Sequence, residues 1–191
     1  MCHKLLGDTR LYAFLLKCDE DMATEAQVAG CACGGVLHSA RYPRKPRGGP
    51  RDLGPEHDRR LSFCCDREGC RSRVTPPSVR FLGRRVYLGA VVVLVSAMRH
   101  GPTPQRVATL GALIGASRRT LQRWWRWWRA TFAESAFWKA AAGQFARPPE
   151  RGLLPRSLLE RFGGDARERL VATLRFLSPS TTTSARNALA P

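Results

Sequence analysis

The stretch from Gly115 to Trp128 most constrains the fold, because it predicts an amphipathic helix with one apolar and one cationic face. Ser117 is a favourable N-cap, since its hydroxyl can accept a hydrogen bond from an amide in the first turn, and Gly115 supplies a turn before it. With helical periodicity, the apolar side is formed by Leu121, Trp124, Trp125, Trp128 and Phe132. The opposite side carries Arg119, Gln122, Arg123 and Arg126. The aromatic face is predicted to pack against preceding helices.

A second helix is predicted immediately upstream, from Thr103 to Ile114. Thr103 followed by proline is typical of an N-cap and a first helical turn. Val107, Leu110 and Ile114 recur at spacings of three and four residues, as on one face of a helix. The predicted local arrangement is therefore helix, short turn, helix.

The run from Ile114 to Trp124, IGASRRTLQRW, resembles the turn and second helix of bacterial helix-turn-helix DNA-binding proteins. In that family Gly makes the turn, Ser caps the second helix, and a Thr-aliphatic-x-Arg-Trp string anchors it. Gly111 stands where the family usually has Ala. The resemblance implies that four side chains face DNA, namely Arg119, Gln122, Arg123 and Arg126. The alternative interpretation is an amphipathic core helix with a solvated arginine face.

The charge balance favours a polyanionic partner. The chain has 32 Lys and Arg against 15 Asp and Glu, a formal net charge of +17 and a pI of about 11.0. Residues 1–30 hold three basic and five acidic side chains, so the net charge from residue 31 onward is +19. We therefore predict that the basic part of the chain binds double-stranded DNA.

The cysteines predict a structural zinc site. Seven cysteines in a reducing compartment favour metal ligation or free thiols over disulfides. Cys31 and Cys33, one residue apart, point to the same side of an extended chain, and the Gly-Gly that follows lets backbone amides curl towards the thiolates. Cys70 with either Cys65 or Cys64 would complete four thiolates, the closed tetrahedral arrangement of structural Zn²⁺.

Two other interpretations of these residues remain open at this point. The cysteines can instead serve as small buried hydrophobic side chains. His38 is a candidate substitute ligand, although its position after Val-Leu is more typical of a strand residue.

The cysteine pattern, followed by Arg71 and Arg73, an apolar helix and the helix-turn-helix pattern, resembles the zinc-ribbon N-terminal part of bacterial insertion-sequence transposases. The spacing departs from that family. Zinc ribbons usually have C-x₂-C pairs about 15–20 residues apart, whereas this chain has C-x-C and C-x₄-C with 30 residues between Cys33 and Cys64. The resemblance implies a transposase-related fragment or an accessory or regulatory factor, acting as a homodimer or in a larger transposition complex.

The segment from Arg41 to Arg51 predicts an extended basic arm. It contains five basic residues, three prolines and no acidic residue, so it can form neither a core nor a regular helix. Arms of this composition contact phosphates or enter the minor groove. The candidate DNA contacts are Arg41, Arg44, Lys45 and Arg47. A solvated linker is the alternative.

Catalysis is not predicted. A transposase needs three carboxylates to hold two metal ions, and the C-terminal acidic residues lack the strand setting of such a site: Glu134, Glu150, Glu160, Asp165 and Glu168. Phosphate-loop, zinc-protease and nucleophile-elbow motifs are also missing from the sequence. The alternatives to DNA binding are a nuclease or recombinase with an unrecognised site, and a protein-interaction module with a tryptophan-rich face.

The predicted fold class is mainly α, with a small metal-stapled β subdomain followed by a helix-turn-helix domain. The longest apolar run, Val86 to Met98, is too short for a membrane span, which needs about 20 residues, so we predict a buried helix over 85–99 and a cytoplasmic protein. The predicted divisions are 1–30 (N-terminal helices), 31–80 (the β subdomain with the arm), 81–147 (the helical domain), 148–177 (short helices) and 178–191 (a disordered tail). We predict that residues 8–29 are helical in two pieces, with Asp8 and Asp21 or Thr24 as caps, and that further helices form over 130–146, 153–162 and 165–177.

Overall fold

The computed structural model describes residues 2–82, 86–98 and 103–182, without the side chains of Cys2 and His3. The described chain is mainly helical with a small antiparallel sheet, which confirms the predicted mainly α class. Its α-helices are α1 (Cys2–Leu6), α2 (Thr9–Ala29), α3 (Gly89–Ser96), α4 (Pro104–Ile114), α5 (Arg118–Arg126), α6 (Ala136–Ala142), α7 (Arg156–Leu159) and α8 (Ala166–Leu177). Its strands are β1 (Leu37–Ser39), β2 (Tyr42–Pro43), β3 (Arg59–Arg60), β4 (Phe63–Cys65) and β5 (Arg73–Val74).

Helix α2 is one uninterrupted helix of 21 residues. The Asp8 side chain accepts from the Arg10 amide at 3.0 Å and caps its start, and Gly30, at φ 73°, ends it. The prediction of two helical pieces is wrong, because Asp21 and Thr24 lie inside the helix. The Thr24 hydroxyl donates to the Glu20 carbonyl one turn back, so this residue is compatible with a helix interior.

Helix α3 is buried on every side and forms the centre of the main core, with α5 and α8 packed against it. It is shorter than predicted and begins at Gly89. A Cβ at that position would lie 3.2 Å from the Val79 carbonyl and 3.3 Å from the Arg80 carbonyl, so a larger residue would press against two backbone carbonyls that glycine leaves undisturbed. The first and last residues of the predicted helix, 85 and 99, lie outside the described chain, together with residues 83–84 and 100–102.

Helices α4 and α5 occur at the predicted positions with the predicted caps. Thr103 accepts from the Arg106 amide at 3.4 Å, and Ser117 accepts from the Thr120 amide at 3.3 Å. Between the helices, Gly115 adopts the left-handed conformation, φ 65° and ψ 24°. The turn residue is thus a helix C-terminal glycine of the common left-handed type.

The Gly115→Ala substitution should destabilise the protein by about 1 kcal/mol. A Cβ at this position meets no atom within 4 Å, so the cost comes only from the left-handed backbone, which L-residues with a Cβ disfavour. Gly143→Ala is the matched control, because Gly143 has φ −67° and an equally uncrowded Cβ position. Urea denaturation should show a loss for the first variant and no loss for the second; equal behaviour would contradict the strained turn.

The predicted continuous helix over 130–146 is wrong. Helix α5 continues into a wider π-helical turn, Trp127–Phe132, and Ser135 then begins α6 by accepting from the Trp138 amide at 3.1 Å. Sequence reasoning missed this serine cap. The break turns Trp138 back onto Phe132, with ring centroids 5.3 Å apart, and both rings are buried.

Of the two short helices predicted in the C-terminal region, the one over 153–162 is found as the shorter α7, and the one over 165–177 is found as α8. Asp165 and Glu168 form a capping box at the start of α8. A 3-10 helix, Ser178–Thr181, follows and buries Ser178 and Ser180, so predicted disorder from residue 178 onward is wrong for these residues. Residues 183–191 of the predicted tail lie outside the described chain.

The strands form two small antiparallel units. The first is a three-stranded sheet in the order β1-β4-β5, in which Leu37 pairs with Cys65 and Phe63 pairs with Val74. The second pairs β2 with β3. The sheet has its own small core, consisting of Ala23, Leu37, Leu61, Phe63 and Cys65.

Among the described residues, no helix is long and apolar enough to cross a membrane.

Candidate metal centre and basic surface

Four cysteine sulfurs converge at one end of the sheet. The Sγ atoms of Cys31, Cys33, Cys65 and Cys70 all lie within 4.8 Å of one another. The separation is 3.7 Å between Cys31 and Cys70 and 3.5 Å between Cys33 and Cys65. Tetrahedral coordination with metal–sulfur bonds of about 2.3 Å places sulfurs about 3.8 Å apart. The four thiols are free and their spacing suits a metal ion.

The first pair of sulfurs lies on a tight turn directly after α2. The Gly34 amide donates to the Cys31 carbonyl at 2.8 Å, so the chain between Cys31 and Cys33 is not extended as the sequence analysis assumed. The two glycines have different roles. Gly34 takes φ 80°, and Gly35 passes so close to the centre that a Cβ there would lie 2.5 Å from Cys65 Sγ.

The second pair lies on β4 and on the loop that joins β4 to β5. The Cys65 amide donates to the Ser72 carbonyl at 3.0 Å, and the Cys70 amide donates to the Arg67 carbonyl at 3.1 Å. Gly69, at φ 79°, closes the loop. These bonds return the chain so that the Cys70 side chain faces Cys65.

The structure separates the two adjacent cysteines that sequence reasoning left as alternatives. Cys65 is buried in the small core, whereas Cys64, on the opposite face of β4, places its sulfur 3.6 Å from the Arg71 carbonyl and outside the cluster. His38 is also outside the cluster, because its Nε2 lies 3.4 Å from an Asp66 carboxylate oxygen on the exposed side of β1. Cys65 is thus the fourth member.

The surroundings of Cys70 and Cys65 shift the pKa values of these two thiols in opposite directions. Hydrogen bonding by the Ser72 hydroxyl and amide lowers the pKa of Cys70 to about 6. Burial raises the pKa of Cys65 to about 12. A metal cation supplies the positive charge that would stabilise a buried thiolate at Cys65, since metal ligation deprotonates the sulfur.

A cationic surface lies on α5. The side chains of Arg119, Gln122, Arg123 and Arg126 are all exposed, as are two arginines that the sequence analysis did not include, Arg118 and Arg129. Within the described residues, no carboxylate forms an ion pair with any of these arginines. The Arg123 guanidinium donates to the Thr120 hydroxyl at 3.4 Å.

The opposite face of α5 is part of the main core. Leu121, Trp124 and Trp128 are buried, and Trp125 is half-buried, with its indole N–H donating to the Ser96 carbonyl at 3.0 Å. The tryptophans therefore hold α5 against α3, and they do not form an exposed face.

The arm, residues 41–51, contains no helix, as its prolines predict, and it is extended at β2 but bent by left-handed residues at Lys45 and Gly48. It is also anchored to the body of the protein. The Arg44 and Lys45 amides both donate to the Asp58 carbonyl. Exposure alternates along the arm, so that Arg41, Lys45 and Arg47 face outward, whereas Arg44 is half-buried with its guanidinium 5.6 Å from the Phe81 ring centroid. Arg44 is therefore a packing residue, unlike the three other basic residues predicted with it.

A sequence signal for the cationic surface was missed. Between Glu68 and Glu134 the chain contains 12 arginines and no acidic residue. An amphipathic surface helix ordinarily mixes charges of both signs, which gives i,i+4 ion pairs. This stretch avoids negative charge over the whole length of α3, α4 and α5.

The C-terminal carboxylates do not come together. Glu134 pairs with Arg151, Glu160 pairs with Arg156, and Asp165 and Glu168 cap α8. Within the described chain, the four-cysteine cluster is the one group of three or more His, Cys, Asp or Glu side chains placed to hold a metal ion.

No protein-family model, curated protein or solved structure matches this chain.

Proposed function

We propose that the chain is a double-stranded DNA-binding protein in which α5 contacts the major groove and Zn²⁺, held by the four cysteines, stabilises the small sheet. The function requires a location with access to DNA and a reducing environment for the thiols, as in a bacterial cytoplasm. The same proposal includes a relationship to insertion-sequence transposases. The chain would be a transposase fragment or an accessory factor that acts alone or as a homodimer.

The exposed face of α5 is the observation that carries the proposal. It presents four arginines and one glutamine, none of them with a carboxylate partner among the described residues, and Arg129 adds a fifth arginine in the π-helical turn that follows. Helix α5 itself follows a short left-handed turn after α4. Neighbouring arginines repel one another, so a helix face that contacts only solvent is not stabilised by a cluster of unpaired positive charges. The phosphates of DNA neutralise such charges. The major groove is also wide enough to admit one helix.

The side chains of α5 also have the chemistry of base recognition. Arginine forms paired hydrogen bonds with guanine, and glutamine does so with adenine. Residues in the first turns of a groove-bound helix reach base edges, and here these are Arg118, Arg119, Gln122 and Arg123. The hydrogen bond that Arg123 donates to the Thr120 hydroxyl limits the freedom of the Arg123 side chain and favours such a directed contact.

The zinc part of the proposal rests on donor chemistry. Four thiolates select soft or borderline cations, and a set of four protein ligands leaves no open position for a substrate. The metal is therefore proposed as structural.

Arg119→Ala combined with Arg123→Ala should weaken DNA binding by about 2–6 kcal/mol while leaving the melting temperature unchanged, because both side chains are exposed and each base contact contributes about 1–3 kcal/mol. The measurement is fluorescence anisotropy on duplexes recovered from a random-sequence selection. The charge-matched control is Arg161→Ala combined with Arg169→Ala, which removes two exposed arginines of the C-terminal region. If the double variant binds as the control does, α5 is not the reading helix.

The two alternative functions, a protein-interaction module and a nuclease or recombinase, each require an arrangement of side chains that differs from the one observed. The tryptophan-rich interaction face would need Trp124, Trp128 and Trp138 at the surface, yet all three are buried. A nuclease site would need three or more converging carboxylates, and in the described chain those of the C-terminal region form no such group. Four of them, Glu134, Glu160, Asp165 and Glu168, are engaged in ion pairs or in a helix cap. DNA binding without catalysis is the function that remains best supported.

A further inference from the structure

Tyr87 connects the turn before α5 to the segment that precedes α3. Its hydroxyl donates to the Gly115 carbonyl at 2.8 Å, and its ring packs edge-on against Trp124 with centroids 4.9 Å apart. Tyr87 is buried. One side chain therefore holds both the turn and the buried face of α5.

The same segment carries the arm. The Arg47 amide donates to the Val86 carbonyl at 2.8 Å, and the Leu88 amide donates to the Arg47 carbonyl at 3.1 Å, so the arm backbone is paired on both sides of Tyr87. Gly48, at φ 86°, continues this packing, since a Cβ there would lie 3.2 Å from the Tyr87 ring. The arm is thus fastened to the residue that holds α5.

The distances along this connection are short. Paired strands lie about 4.8 Å apart, and a tyrosine side chain adds about 6.5 Å, so the Arg47 backbone lies within about 15 Å of the Gly115 carbonyl. One turn of B-DNA is about 34 Å long. The arm and α5 can therefore meet the same duplex within half a helical turn.

We propose that Tyr87 joins the arm and α5 into one rigid DNA-binding surface, in which Lys45 and Arg47 contact phosphates on one flank of the site occupied by α5. The inference rests on the DNA binding proposed above for α5. The partner it defines is a duplex that extends beyond that site on one particular side. Tyr87 is a positioning residue, because it acts through the arm and the turn without contacting DNA.

The arm is tested by Lys45→Gln combined with Arg47→Gln, with Arg44→Gln as the control that removes an inward-facing arginine of the same arm. Binding is compared on three duplexes. The first is a selected duplex of about 30 bp, or about three helical turns, and each of the other two is the same duplex shortened at one of its two flanks. On the full duplex, the double variant should reduce the slope of log affinity against log salt by about 1.8, because two phosphate contacts are lost.

Shortening one flank should make the double variant and the wild type bind equally, and shortening the other flank should preserve their difference. An unchanged salt slope on the full duplex would show that the arm lies off the DNA and overturn the inference, as would a difference that survives both truncations. Either result leaves the function of α5 intact, because that is tested independently by Arg119→Ala with Arg123→Ala.

Tyr87→Phe tests the positioning role. Its matched control is Tyr12→Phe, which also removes a buried hydroxyl that donates to a backbone carbonyl, that of Leu6 at 3.2 Å. Both variants should lower the melting temperature by similar amounts. Tyr87→Phe should weaken binding to the full duplex by up to about tenfold, the equivalent of one hydrogen bond, and bind the duplex lacking the arm's flank as wild type does. If the two variants bind all three duplexes alike, Tyr87 serves packing alone and the positioning role is refuted.

Discussion

Cys65→Ser should abolish stoichiometric zinc binding and unfold the small sheet. Structural zinc in small domains contributes on the order of 10 kcal/mol of folding free energy, because the site exists only in the folded chain. The sheet core has only five buried residues, one of which is Cys65 itself. A core of this size does not fold unaided, so losing one ligand should remove metal and local structure together.

The adjacent residue provides the control. Cys64→Ser changes the same atom one position away, but Cys64 lies outside the cluster and its sulfur makes only long contacts, 3.6 and 3.8 Å, with backbone carbonyls. Metal analysis of the purified proteins should find about one zinc per chain in wild type and in Cys64→Ser, and little in Cys65→Ser. Hydrogen exchange over residues 31–74 should report the unfolding. Equal zinc in both variants would refute the four-cysteine site.

Local capping signals predicted three of the helix starts correctly. Asp8, Thr103 and Ser117 begin helices as expected, because a capping side chain bonds to amides only two or three residues away. Cysteine chemistry also restricted the candidate ligands to a set of residues from which the fold brings four sulfurs together. The choice between Cys64 and Cys65 needed the strand register, since adjacent residues of a strand point to opposite faces.

Features that depend on distant parts of the chain could not be predicted. Asp19 lies in the sequence Cys-Asp-Glu-Asp, which is typical of an exposed acidic stretch, yet it is buried because Arg80 lies against it, 61 residues away. The inward orientation of Arg44 likewise follows from Phe81. No local pattern distinguishes these residues from their solvated neighbours, since their partners are brought to them by the fold.

The buried pair of Asp19 and Arg80 connects α2 to the rest of the structure. Asp19 Oδ2 lies 2.9 Å from Arg80 Nε, and both side chains are almost fully excluded from solvent. Asp19 also accepts from the Ser78 hydroxyl and the Val79 amide, and Arg80 donates to the carbonyls of His57 and Arg59. The pair thus ties the helical core to β3.

Asp19→Asn should destabilise the protein by about 3–5 kcal/mol, because it leaves the Arg80 guanidinium as an uncompensated charge in the interior. For a chain of this size, that loss corresponds to a fall in melting temperature of about 10 °C. Asp21→Asn is the control: it makes the same chemical change two residues along α2, where Asp21 pairs with Lys17 at 3.1 Å on the exposed surface. Exposed ion pairs are screened by water, so this variant should have the same melting temperature as the wild type. Equal melting temperatures for the two variants would show that the Asp19 carboxylate is not needed to balance Arg80.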